Sequence, residues 1–158
     1  VGSRIVDAIA TGSGVLKHGT TYSGHTLSCA AALAVQEAIA EEGLLDNVRK
    51  MGELLRRRLH DAFGQHPHIG DIRGRGLFLG LEMVADRETK APFDPARKTW
   101  LRLREAALAR GLICYPSGGC IDGKSGDHII LAPPYNVTEP QIGEIVDKLS
   151  AALDAAIA

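Results

Sequence analysis

Apolar positions along the chain follow two different periods. From Thr26 to about Glu42 the sequence is dense in Ala and Leu, and Leu27, Ala30, Ala31, Ala34, Ala38 and Ile39 share one side of a helical wheel. Gly43 is a natural stop, since glycine enters the left-handed region freely. A second helix is predicted from Leu44 to Phe63, with Val48, Met51, Leu55, Leu59 and Ala62 at helical spacing and Arg56, Arg57 and Arg58 between them. Ahead of both, Ile5, Val6, Ala8 and Ile9 predict a short helix closed by a Gly12-Ser13-Gly14 turn. The period then drops to two. Leu77, Leu79, Leu81 and Met83 alternate with Phe78, Gly80 and Glu82, the mark of a strand, with Gly74 and Gly76 as a bulge or bend before it. Asp94-Pro95 predicts a helix start, with Trp100, Leu103, Ala107 and Leu108 as its buried stripe and Gly111 as its end. Short strands are expected at Leu112–Tyr115 and His128–Leu131, on either side of a long glycine-rich loop. Thr138 with Gln141 is a capping box, opening a helix whose Ile142, Ile145, Val146, Leu149, Leu153 and Ala156 keep period to the end. The expected fold class is α/β (α+β): a small, mostly antiparallel sheet of three or four strands with helices on one face.

Composition narrows the class without naming a function. The chain has 158 residues, 45% of them hydrophobic, which suits one domain with a real core. A net charge of −1 argues against nucleic-acid or membrane partners held by bulk electrostatics. No apolar run approaches the ~18 residues a membrane helix needs. Cys29, Cys114 and Cys120 are odd in number and form no CxxC pair, which favours free thiols and a reducing cytoplasm. The first residue is Val1, not Met, so the expectation is a piece of something longer.

Three patterns invite chemistry. The loop His18-Gly19-Thr20-Thr21-Tyr22-Ser23-Gly24-His25 is polar, rich in hydroxyls and opens the first long helix. Unpaired N–H groups and the positive end of a helix dipole make such a place an anion seat, although Thr and Gly loops also serve as plain caps. Gly118 to Ser125 satisfies GxxxxGK[ST] letter for letter, but an apolar strand follows where a phosphate loop needs a helix. A hairpin loop is the favoured reading, with a nucleotide-binding loop as the lesser alternative. His60, His66 and His68 lack a carboxylate or cysteine at ligand spacing, so no metal is expected. The arginine run reads as a solvated helix face.

Four ordered motifs then resemble one family. His18–His25 followed by Leu27 and Cys29-Ala30-Ala31-Ala32-Leu33-Ala34 is similar to the HG-x-T-x-x-G-N-P-L-x-x-AAA-LA stretch of class III aminotransferases, pyridoxal-phosphate enzymes of fold type I. Ile72 to Glu82 resembles their RG-x-G-L-x-x-G-I-E strand, Ala109 to Ile113 their RGL helix exit, and Ala132 to Thr138 their PPL-x-x-T element. The resemblance covers essentially the whole chain. It implies a C-terminal portion: residues 1–25 as the tail of the large cofactor domain, 26–43 as a connecting helix and 44–158 as the small domain. It further implies a homodimer in which Thr21, with Thr20 beside it, holds the pyridoxal 5'-phosphate phosphate of the partner subunit. His25 for Asn and Thr26 for Pro depart from the motif and alter the turn into the helix.

Such enzymes hold the cofactor as a Schiff base on a large-domain lysine. The six lysines here, Lys17, Lys50, Lys90, Lys98, Lys124 and Lys148, match none of that context, so this stretch alone is expected to be inactive and to supply no catalytic residue. Relatives of the ornithine type grip a substrate carboxylate with an arginine where this chain has Ile130. Lys124 and Arg73 are the remaining candidates for substrate binding, each with a plainer alternative as a solvated or structurally paired side chain. The substrates implied are an amine or amino acid and a keto acid. A noncatalytic dimerisation or binding domain on the same scaffold stays open beside the transaminase reading.

Overall fold

In a computed structural model, which describes residues 2–158, the strand periodicity resolves into a four-stranded sheet. The order is β1-β2-β4-β3, every pairing antiparallel, with β1 at Ile69–Arg75, β2 at Phe78–Met83, β3 at Tyr115–Gly118 and β4 at Asp127–Leu131. Five α-helices accompany it: α1 Ser3–Thr11, α2 Thr26–Glu41, α3 Leu44–Phe63, α4 Thr99–Ala109 and α5 Glu139–Ile157. Two regions separate, Val1–Ala38 and Ile39–Ala158, and the division falls within α2.

The second region has the core. Leu79, Leu81 and Met83 of β2 meet Ile129 and Leu131 of β4 on one face of the sheet. That face packs against Leu55, Leu59 and Phe63 of α3, Leu103 and Ala107 of α4, and Ile142, Leu149 and Leu153 of α5. Burying a leucine of this kind is worth ~2 kcal/mol, so alternation on the strands and 3.6-residue periodicity on the helices fix the same surface from both sides. The intervening positions Phe78, Gly80, Glu82, His128 and Ile130 lie on the opposite, open face. Thr138 and Gln141 form the expected capping box at the start of α5.

The first region has helices without burial. Among its described residues none is buried, and Ile5, Val6, Leu27, Leu33 and Val35 are all more than half exposed.

Four local expectations need correction. The glycines at 74 and 76 mark no bend in a single strand. Gly76 sits in the turn of a hairpin and Gly74 in the strand before it, opposite Leu79, and β1 is a separate strand that its polar and glycine content concealed. Gly76 turns at φ +55°, a left-handed value, and a Cβ on Gly52 of α3 would come within 2.5 Å of its backbone, so helix and hairpin touch glycine to glycine. Asp94 caps only a single 3-10 turn at Pro95–Arg97. Lys98 then leaves the helical region at φ 50°, and α4 starts afresh at Thr99. The strand expected at Leu112–Tyr115 lies at Tyr115–Gly118. Leu108 and Ala62 are exposed, with Phe63 facing the core in place of the latter.

Candidate functional site

The hydroxyl loop before α2 is a network of short local bonds. The Thr20 amide donates to Ser23 Oγ at 3.3 Å, the Thr20 and Ser23 hydroxyls meet at 2.8 Å, and the Ser23 amide donates back to the Thr20 carbonyl at 3.0 Å. His25 does what a capping side chain does: its Nδ1 accepts from the Ser28 amide at 3.2 Å and meets the Ser28 hydroxyl at 2.9 Å. The imidazole thus takes over the capping role that an Asn amide carbonyl is suited to fill. Thr20 spends its hydroxyl on the loop. Thr21 is exposed, and its hydroxyl makes no hydrogen bond among the described residues.

These donors fit a phosphate dianion. The Thr21 hydroxyl lies on an exposed loop that leads into the N-terminus of the 16-residue helix α2, where the helix dipole favours an anion.

The second place of interest is the open face of the sheet. Register puts Asp71, Glu82, His128 and Ser117 in one cross-strand row, and Arg73, Gly80, Ile130 and Tyr115 in the next. Gly80 contributes no side chain, which leaves a cleft of about 320 Å3 that Arg73, Glu82, Cys120, His128 and Ile130 help line. Arg73 Nη1 donates to Asp71 Oδ2 at 2.7 Å and lies 3.8 Å from Glu82. The Arg73 hydrogen bond holds the Asp71 carboxyl below the usual carboxylate range. Burial, with the Glu82 and Asp127 carboxylates adding to it, pushes the Cys120 thiol up. Lys124 does not line this cleft, so the two substrate-binding candidates are not brought together. Glu82, Cys120 and His128 were not singled out from the sequence, although strand alternation already set Glu82 opposite the core-facing leucines.

The loop between β3 and β4 answers its own motif. The Asp122 carboxylate accepts from the Lys124 amide at 2.9 Å and the Ser125 amide at 2.6 Å, and the Ser125 and Lys124 bonds hold its carboxyl low. The amides that a phosphate loop aims at its ligand are turned on the chain's own carboxylate. β4 follows directly, with no helix. His66 and His68 are likewise engaged locally: the His68 amide donates to His66 Nδ1, and desolvation, with His68 adding to it, lowers the His66 pKa.

Comparison with known proteins completes the picture. The sequence model of the family described as Aminotransferase class-III matches residues 2–153. A Gibberella zeae protein named Aminotransferase is 46% identical over 158 residues, 99% of this chain and 31% of that protein. The crystal structure of a thermostable (S)-enantioselective omega-transaminase from Thermomicrobium roseum superposes with a TM-score of 0.83 at 30% identity, over 100% of this chain and 33% of that one. A PLP-bound aminotransferase mutant from Vibrio fluvialis gives 0.82 at 35%, over 98% and 32%. The chain therefore spans about a third of the length of the relatives it matches.

Proposed function

The chain belongs to the class III aminotransferases, and from that premise we propose that it is the phosphate-clasping, C-terminal portion of a pyridoxal 5'-phosphate-dependent transaminase. The reaction moves an amino group between an amine or amino acid and a keto acid. When bound, the cofactor supplies the electron sink that this chemistry needs. The work of this chain is positional. The Thr21 hydroxyl and the loop amides hold the phosphate, Thr20 and Ser23 brace the loop, and His25 fixes the turn into α2. The loop is exposed, which suits a homodimer in which each loop reaches the cofactor of the partner subunit. The lysine that carries the cofactor belongs to another part of the enzyme, and three free cysteines suit the cytoplasm.

One observation carries this reading: the family match runs through residues 2–153, both regions included. Two preparations test it. With pyridoxal phosphate added, this chain alone turns over no amine in the presence of a keto acid, and the full reading frame does. Turnover by the chain alone, lost on replacing one of its own lysines, contradicts the assignment.

A further inference from the structure

The arginines of α3 are not all alike. Arg57 and Arg58 are exposed on the helix surface, as the sequence suggests. Arg56 is half-buried and turned onto the hairpin, where it donates to the Gly74 carbonyl. Beside it, Arg49 from two turns earlier and Arg75 from the hairpin face the same hollow, a cavity of about 380 Å3 whose floor is the Gly52–Gly76 contact. One wall is apolar, from Leu45 and Val48, and Glu53 is the only carboxylate among the lining residues. Asp46 pairs with Arg49, but both side chains are more than two-thirds exposed, so that pair neutralises little.

Three guanidinium groups from two elements line one hollow with a single carboxylate, a balance of charge that favours an anion. A monocarboxylate has two oxygens to offer. A phosphate monoester has three terminal oxygens and inorganic phosphate four, enough for each arginine, and guanidinium forks match that geometry. We propose that this pocket binds a phosphate group, with Arg49, Arg56 and Arg75 taking its oxygens and Leu45 and Val48 receiving the organic part of a phosphate ester. It is a separate seat from the Thr21 loop and owes nothing to the transaminase reading.

The test is titration of the chain with inorganic phosphate and with phenyl phosphate at pH 7.5 and fixed ionic strength, read by calorimetry and by the amide shifts of residues 75 and 76. Saturable binding is expected. Arg75→Gln weakens it at least about tenfold, as loss of a charged hydrogen-bond donor does. Arg57→Gln, on the same helix but outside the pocket, and Thr21→Ala, in the other seat, leave it within about twofold. Tighter binding of phenyl phosphate assigns the site to esters, and equal binding assigns it to free phosphate; both uphold the seat. Equal shifts from chloride at matched ionic strength, equal losses in Arg75→Gln and Arg57→Gln, or loss in Thr21→Ala overturn it.

Discussion

The first 38 residues and the remaining 120 are built on opposite plans. Val1–Ala38 includes the hydroxyl loop and most of an almost uncharged helix, yet buries none of its described side chains. Ile39–Ala158 buries two dozen apolar residues and carries the four-stranded sheet. Helices of nine and 16 residues are marginal on local propensity alone. The second region can specify itself, because helix faces and strand faces agree on one core. The first carries the hydroxyl loop and buries no described residue of its own. Sequence motif and folding stability are therefore separate properties here, held by different stretches of chain.

Paired substitutions put that contrast to the test. The largest effect is expected from Leu79→Ala, which empties the centre of β2 and costs about 3 kcal/mol in denaturant unfolding, while Leu33→Ala on α2 changes it by less than about 0.5 kcal/mol. A comparable loss at Leu33 would show a core that the first region does not display. Helix caps repeat the comparison on a smaller scale. Thr138→Ala removes the capping box of α5 and costs about 1 kcal/mol, whereas His25→Ala, at the start of α2, leaves global unfolding unchanged.

Smaller still is the effect of pH through Asp127, whose carboxyl burial pushes above the usual carboxylate range. Its unfolded value is ordinary, so the stability it lends is complete at acid pH and lost as pH rises through the folded value. Asp127→Asn should raise the melting temperature by a few degrees near pH 7, and the gain should vanish below about pH 4. A gain that grew on acidification would contradict the sign. Thiol labelling gives the finest comparison. Cys114 is half-buried and its pKa is pushed up to about 11 by burial, whereas Cys29 in α2 is exposed. Iodoacetamide at pH 8 should label Cys29 first and Cys114 last.

Much of this was legible in the sequence where one force acted alone. The ends of α3 and the capping box at Thr138 follow from apolar spacing and local hydrogen-bond chemistry. β1 was hidden because Ile69–Arg75 has only two large apolar residues and sits at the sheet edge, where cross-strand pairing, not its own pattern, makes it a strand. Asp94-Pro95 looked like the start of α4 because a one-turn cap and a helix cap use the same residues, and nothing local shows Lys98 leaving the helix. At the candidate sites, Thr20 and Thr21 were readable as hydroxyls before a helix, but which of them stays free depends on Ser23. The Arg49, Arg56 and Arg75 pocket exists only once the hairpin folds over α3, and linear spacing carries no trace of that.

The claim that the first region acts through a phosphate and not through a core is tested most directly by the cofactor affinity of the full-length enzyme. Pyridoxal phosphate titrated into the apoenzyme should bind at least about tenfold more weakly in Thr21→Ala, regain affinity in Thr21→Ser, and leave the melting temperature of the apoenzyme unmoved. Equal affinity in all three proteins, or a loss that tracks unfolding, would contradict the account.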